Sequence, residues 1–161
     1  MRKLLVYGAA LVMALGAGCS GSGDTGNFKH VQGKDRAMNA AIAQARETSA
    51  DFVRAFRKHG AGTKDFYVKK PYATPTQGHE HMWISVTAET NGVLLGVIAN
   101  DAEETREVKL GDVVSVKIDE ICDWKYQDGN RLIGGYTVRY FVDRMSPREK
   151  ADFLKDAGFV L

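Results

Sequence analysis

The chain has little of what covalent, metal or nucleic-acid chemistry requires. It holds two cysteines, Cys19 and Cys122, in 161 residues, too few for a disulfide framework or a zinc ribbon. Cys-x-x-Cys and His-Glu-x-x-His are missing, as are Gly-x-Ser-x-Gly and the phosphate-cradling loop. Their absence removes the familiar signatures of metalloproteases, α/β-hydrolases and P-loop enzymes. A Gly-x-Gly-x-x-G match at 16–21 follows no strand and is not a dinucleotide fingerprint. Neither sign of charge prevails. The chain carries 22 Lys+Arg against 20 Asp+Glu, and losing Arg2 and Lys3 with a cleaved leader leaves 20 against 20. A nucleic-acid binder carries a basic footprint, so that class of partner is excluded. No cofactor and no resident metal are expected.

What is present begins with an address. Met1-Arg2-Lys3 is basic, residues 4–15 are apolar, and Gly16-Ala17-Gly18 are small residues before Cys19. This order reads as a signal peptide over 1–18, too short and wrongly flanked to span a membrane. Small residues directly before a cysteine resemble the lipobox of bacterial lipoproteins, although Gly16 stands where a large aliphatic residue is usual. Cleavage would leave Cys19 as an acylated N-terminus, followed by Ser20 rather than an aspartate that favours inner-membrane retention. The expectation is a cell-envelope protein with its lipid anchor at Cys19, in the outer membrane and facing the periplasm. Residues 19–34, Gly/Ser-rich and polar, continue as a flexible tether that spans on the order of 20 Å. With Cys19 acylated, Cys122 has no intramolecular partner, and the fold must rest on its core.

The globular domain is expected over 35–161. Met38, Ile42, Ala45, Ser49, Phe52 and Phe56 recur at helical spacing and predict one helix over 35–59, stopped by Gly60. Residues 66–70 predict a short strand ended by Pro71, and 72–78 a loop. Alternation over 79–89 predicts a strand with Met82, Ile84, Val86 and Ala88 toward the core. Asn91-Gly92 is a hairpin signal that returns the chain over 93–100, where Gly96 marks a bulge or a close approach. A charged connection fills 101–109. From 112 to 140 the pattern is β-type: Val114, Val116, Ile118, Cys122, Trp124 and Tyr126 share one parity, with a bulge expected near Asp119 and Glu120. Asp128-Gly129 turns the chain, and 131–137 pairs back. Ser146, Pro147 and Glu149 form a capping box for a last helix that Gly158 closes. The fold class is α+β: a single domain with one twisted antiparallel sheet of about five strands. That sheet is open or curled into a partial barrel, with an N-terminal and a C-terminal helix packed on it.

Few side chains invite chemistry. His79 and His81 share one face of a strand and could hold a metal ion with Asp123 as a third ligand. Two ligands are not a site, and polar residues at a strand's exposed entry are the preferred explanation of the pair. Trp83 lies on the same, otherwise polar face, and an outward tryptophan marks a contact surface; the alternative is that the first helix covers it. His79, His81 and Trp83 thus form the candidate binding surface. Asp123 needs partners between Cys122 and Trp124, either Arg139 or backbone amides, and acts as an acid or base only beside a second titratable group. Cys122 falls on the buried parity and reads as a small hydrophobe, not a nucleophile. Gly134 and Gly135 permit a tight bend where Tyr136 turns into the core.

Taken in order, the 38–56 helix pattern, Phe66-Tyr67-Val68-Lys69, Glu80-His81-Met82-Trp83, Gly96-Val97-Ile98-Ala99-Asn100, Gly111-Asp112-Val113-Val114, Ile121-Cys122-Asp123-Trp124 and Gly134-Gly135-Tyr136-Thr137-Val138-Arg139 resemble one family. It is the YegJ-like bacterial family, domain of unknown function 2314. The resemblance spans about 35 to 145; it supports the domain boundary and brings no activity with it. The expected role is a non-enzymatic protein- or peptide-binding module, with immunity-type neutralisation of a toxin as one version. The alternative is a hydrolase or metal-dependent enzyme using His79, His81 and Asp123, which requires those side chains to converge in one cleft.

Overall fold

The computed structural model describes residues 35–161; the expected leader, the Cys19 anchor and the tether lie outside the described residues. Asp35 opens the first helix by accepting from the amides of Ala37 (2.9 Å) and Met38 (3.1 Å), and its other oxygen meets Tyr140 Oη. Such an N-cap satisfies amides that have no partner within the helix. The helix expected as one piece is two, α1 (Arg36–Glu47) and α2 (Ser49–Lys58). The break falls at Thr48, whose hydroxyl donates to the Gln44 carbonyl at 2.7 Å, a back-bond that bends helices. The apolar stripe survives the break, with Met38, Ala45 and Phe52 all buried.

Six strands follow: β1 (Thr63–Ala73), β2 (His79–Thr90), β3 (Val93–Ile98), β4 (Val113–Lys117), β5 (Asp123–Asp128) and β6 (Arg131–Gly134). They form one open antiparallel sheet in the order β4-β3-β2-β1-β5-β6. β1 is longer than the expected 66–70 strand and runs through Pro71. Proline is tolerated there because β5 pairs only with Thr63 to Lys69, leaving Pro71 a neighbour on one side. The expected hairpin joins β2 to β3 at Asn91 and Gly92. Gly96 is a close approach: a Cβ there would meet the Ser85 carbonyl oxygen at 2.5 Å, opposite the register shift between Val86 and Ala88.

The largest departure from the sequence pattern lies in 112–140. Its β-type run is not one bulged strand, because β4 and β5 sit four places apart in the sheet and a 3-10 turn at Ile118–Glu120 joins them. Lys117 lies level with Val93 and Thr90, whereas Asp123 begins β5 beside Lys69 and Trp83, toward the opposite end. On a flat sheet that gap would be about 19 Å across and about 20 Å along the strands. The six residue steps between them reach about 20 Å even when fully extended. The sheet therefore curls until those corners approach. Ile121, fully buried, and Ile118 close the crossing over the core.

That core fills the concave side. Phe52 is its hub, with ring centroids of Phe66 and Trp124 each 5.8 Å away. Trp124 is buried as its parity predicts, and its Nε1 donates to the Ala45 carbonyl at 2.9 Å, which gives the indole hydrogen a partner out of water. Met82, Ile84, Val86, Leu94, Ile98 and Val116 complete the sheet side.

After β6 the chain turns into a helix, α3 (Tyr136–Val142), where a returning strand was expected. Gly134 and Gly135 make the turn with φ of 71° and 64°. The last helix, α4 (Pro147–Ala157), has the expected capping box, with Ser146 N to Glu149 Oε2 at 2.8 Å and Glu149 N to Ser146 Oγ at 3.4 Å. It buries no residue of its own. Phe159 beyond it tucks in instead, and Val160 bridges to Arg131 at the β6 edge.

Gly134 and Gly129 separate backbone strain from packing. Both have positive φ, but a Cβ on Gly129 would meet nothing within 4 Å, whereas one on Gly134 would sit 2.5 Å from Trp124 Cε3. Gly129→Ala is expected to cost about 1 kcal/mol, from strain alone. Gly134→Ala should cost about 3 kcal/mol or more, since overpacking adds about 1–3 kcal/mol. Urea midpoints check this; equal losses would mean that the Trp124 ring and its backbone carbonyl, the nearest atom to that Cβ, both yield.

Candidate functional site

The convex side of the sheet, away from α1 and α2, carries the charge. Val68, Ile84 and Trp124 face the core, so alternation sends Lys69, Trp83, Asp123 and Lys125 to the other side. Register sets these in rows. Asp123, Lys69 and Trp83 lie across one another in one row, and Lys125, Tyr67, Ser85, Val97 and Val113 form the next.

Asp123 is fully buried and bound on both oxygens. Oδ1 accepts from the amides of Trp124 (2.8 Å) and Tyr136 (3.1 Å), while Oδ2 accepts from the Thr137 amide (2.9 Å) and hydroxyl (2.5 Å). It therefore caps backbone amides at the start of α3, one of its two expected structural roles. Arg139 is not its partner: the guanidinium donates to the carbonyls of Gly134 (2.9 Å) and Leu132 (2.6 Å). These bonds brace the turn that the two glycines make. Cys122 is buried as expected, and burial pushes its thiol up to about 12.

Trp83 does not project as an exposed anchor. It is 2% exposed, and the first helix is not what covers it, since that helix lies on the other side. Two lysines flank the ring instead, Lys69 Nζ at 4.5 Å and Lys125 Nζ at 4.6 Å from its centroid. Their stems shield the indole while the ammonium groups meet its π face. Lys69 Nζ donates to Thr137 Oγ1 at 2.9 Å, and burial pulls its amine down against the opposing charge of Asp123. Burial, then the charge of Lys69, brings Lys125 down to about 8. The sequence offered no sign of this cluster, because Lys69 and Lys125 stand in unremarkable alternation 56 positions apart.

His79, His81 and Asp123 do not converge. His79 is exposed opposite Ala73, His81 is half-buried opposite Pro71, and Asp123 is spent on amides two strands away on β5. Among the described residues no three His, Cys, Asp or Glu side chains gather where they could hold a metal ion. Glu80, between the histidines, has a role that spacing did not predict. Its carboxylate accepts from the amides of Glu103, Glu104 and Thr105 at 2.8–2.9 Å and so folds the charged connection onto the sheet. Asn100 Oδ1 likewise receives the Trp83 amide at 2.7 Å.

The same face turns apolar toward the far edge. Val93, Leu95 and Val113 are 36%, 44% and 76% exposed; on this face Val113 stands opposite Val97, with Leu95 on the diagonal and Val93 beyond it opposite Lys117. A separate open cleft of ≈ 700 Å³ lies between Arg46, the Asn91-Gly92 tip and the 3-10 crossing.

A curled open α+β domain with a lysine-flanked tryptophan on its outer face is thus the class of protein that the structure defines. The family model described as an uncharacterized protein conserved in bacteria (DUF2314) matches residues 35–161, and the chain belongs to that family. It is 34% identical over 156 residues to the uncharacterized protein YegJ of Escherichia coli (strain K12), covering 96% of this chain and 97% of that one. A putative ankyrin repeat protein of Neisseria meningitidis serogroup B is 28% identical over 130 residues, covering 76% of this chain and 51% of its own length. This chain therefore accounts for about half of the Neisseria protein. No solved structure matches significantly.

His81 gives this face a measurable pH signature. Burial, with Lys69 and His79 nearby, lowers its imidazole from 6.5 to about 4. Between those values the unfolded chain binds the proton and the folded chain does not, so stability falls as pH drops through that window. His81→Gln should lose less melting temperature than the wild type between pH 6.5 and 4. Parallel curves would show that His81 keeps its ordinary affinity for protons.

Proposed function

We propose that the protein is a lipid-anchored recognition module of the bacterial cell envelope that binds an extended segment of a partner protein along β4. The carrying observation is an asymmetry between the two edges of the sheet. At β6 the chain's own Val160 bridges to Arg131, with Leu132 N donating to its carbonyl at 2.7 Å. At β4 no described strand follows. Asp112 O and Ile118 N both bond toward β3, so by antiparallel alternation the backbones of Val113 and Ser115 point outward. An edge of this kind accepts a further strand, and neighbouring side chains set what it selects. Here Val113 and Leu95 offer exposed apolar surface beside that edge, which favours a segment with alternating apolar residues.

Acylation at Cys19 and an outer-membrane, periplasm-facing placement complete the reading. They rest on the residues around Cys19 and on membership of a bacterial family. The tether over 19–34 would let the domain search for its partner near the membrane surface. The hydrolase alternative finds no support in the placement of His79, His81 and Asp123.

Ser115→Pro tests the edge. Its amide faces away from β3, so proline there leaves the ladder intact and blocks the incoming strand. A photo-crosslinker at Val113 of the full chain should capture a partner in envelope preparations, and Ser115→Pro should abolish that capture without loss of folding. Undiminished capture would defeat the edge reading. The anchor is tested separately: Cys19→Ala should take up no fatty-acid analogue, and labelling equal to wild type would remove the lipoprotein proposal.

A further inference from the structure

The two cations on the outer face share one buried carboxylate, Asp123, and neither makes a direct hydrogen bond to it. Lys69 gives one hydrogen to a neutral hydroxyl, that of Thr137. Lys125 Nζ has no hydrogen-bond acceptor among the described residues and rests on two ring faces, Trp83 at 4.6 Å and Tyr67 at 5.1 Å. Asp123, the carboxylate of the adjacent row, already receives three amides and a hydroxyl. Asp65 sits at the irregularity of β1 with φ 57° and acts on Lys125 through space. His81, Cys122 and Tyr67, the other titratable groups nearby, are held neutral. An ammonium withdrawn from water without an acceptor is unfavourable, and an opposite charge beside it restores its ordinary affinity for the proton.

A second unfilled group stands next to the first. Gln127 follows Lys125 by two residues on β5 and so shares its face. Its Oε1 is buried with no donor in reach among the described residues. Donors are thus in excess at Lys125 and an acceptor is idle about 7 Å along the strand.

We propose that Lys125 and Lys69, held over Trp83, form a binding site for an oxyanion group, a carboxylate or a phosphate, whose own hydrogen donor reaches Gln127 Oε1. A peptide C-terminus carries both features, as a terminal carboxylate and a preceding amide; so do free hydrogen phosphate, through its remaining O–H, and a phosphatidylglycerol headgroup, through its phosphodiester charge and glycerol hydroxyls. Ammonium groups act as point charges and accept either geometry. This site does not depend on the β4 edge: its nearest member, Trp83 on β2, lies two strands from β4, and Lys125 lies four.

The test follows the amine itself. The acylated full chain in phosphatidylcholine vesicles is treated at pH 8 with an amine-reactive ester, and acylation of Lys125 is timed by mass spectrometry against exposed Lys64. Three probes are added in turn: inorganic phosphate, acetyl-Ala-Ala with its free carboxylate, and replacement of part of the lipid by phosphatidylglycerol. At least one should slow Lys125 fivefold or more relative to Lys64, because a bound oxyanion keeps the amine protonated and covered. The protecting probe identifies the source of the oxyanion. Lys69→Met should remove that protection and Lys69→Arg should keep it, which separates loss of charge from loss of fold. Absence of protection by all three probes overturns the proposal, as does protection that Lys69→Met leaves unchanged.

Discussion

Six residue steps carry the chain from Lys117, at the outer end of the edge strand, to Asp123 at the start of β5. That short reach holds the two corners together and obliges the sheet to curl around whatever fills its hollow. α1 and α2 fill it, and their junction is tied to the crossing itself, since Arg46 Nε donates to the Ile121 carbonyl at 3.2 Å. On the far side of the same helices, Arg57 grips Glu89 with two bonds of 2.6 and 2.8 Å, while Glu89 also accepts the Gly92 amide at 2.8 Å. The helical layer is thus pinned at both the crossing and the hairpin. The aromatic cluster of Phe52, Phe66 and Trp124 then needs no further scaffold to stay ordered.

Curling gives the two sides of the sheet different chemistry. The concave side sheds water and uses rings and branched aliphatics, where burial contributes roughly 25 cal/mol per Å². The convex side has no helical layer of its own over Trp83. It shields that ring with lysine side chains whose ammonium groups are themselves drawn out of water onto its π face. Charge there is the by-product of a covering problem, and it leaves two ammonium groups with a single buried carboxylate already spent on amides.

Local pattern made much of this legible. Alternation over 79–89 gave the core side of β2 for Met82, Ile84 and Val86, but the register shift after Val86 turns Ala88 outward beside Leu95; the Asn91-Gly92 signal gave the hairpin, and Ser146-Pro147-x-Glu149 gave the last helix. These features depend on neighbours a few residues apart. What stayed hidden depends on distant ones. α3 looked like a strand because its N-terminal amides are satisfied by Asp123, 13 positions upstream of Tyr136. The break at Thr48 is a matter of one hydroxyl, with Tyr136 Oη 2.9 Å away. Parity told which residues of β5 face outward but not that β4 had left for the opposite edge. The convex face was misjudged for the same reason: Trp83 is covered by side chains from β1 and β5, which no reading of β2 alone contains.

Cys122 shows what this packing means for a sulfur atom. Its Sγ lies 3.4 Å from the Lys69 carbonyl, and its thiol ionises only near 12. At neutral pH the sulfur stays protonated, whereas oxidants and disulfides react with the thiolate. The domain can therefore stand among oxidising enzymes and crowded copies of itself without exchanging sulfur bonds.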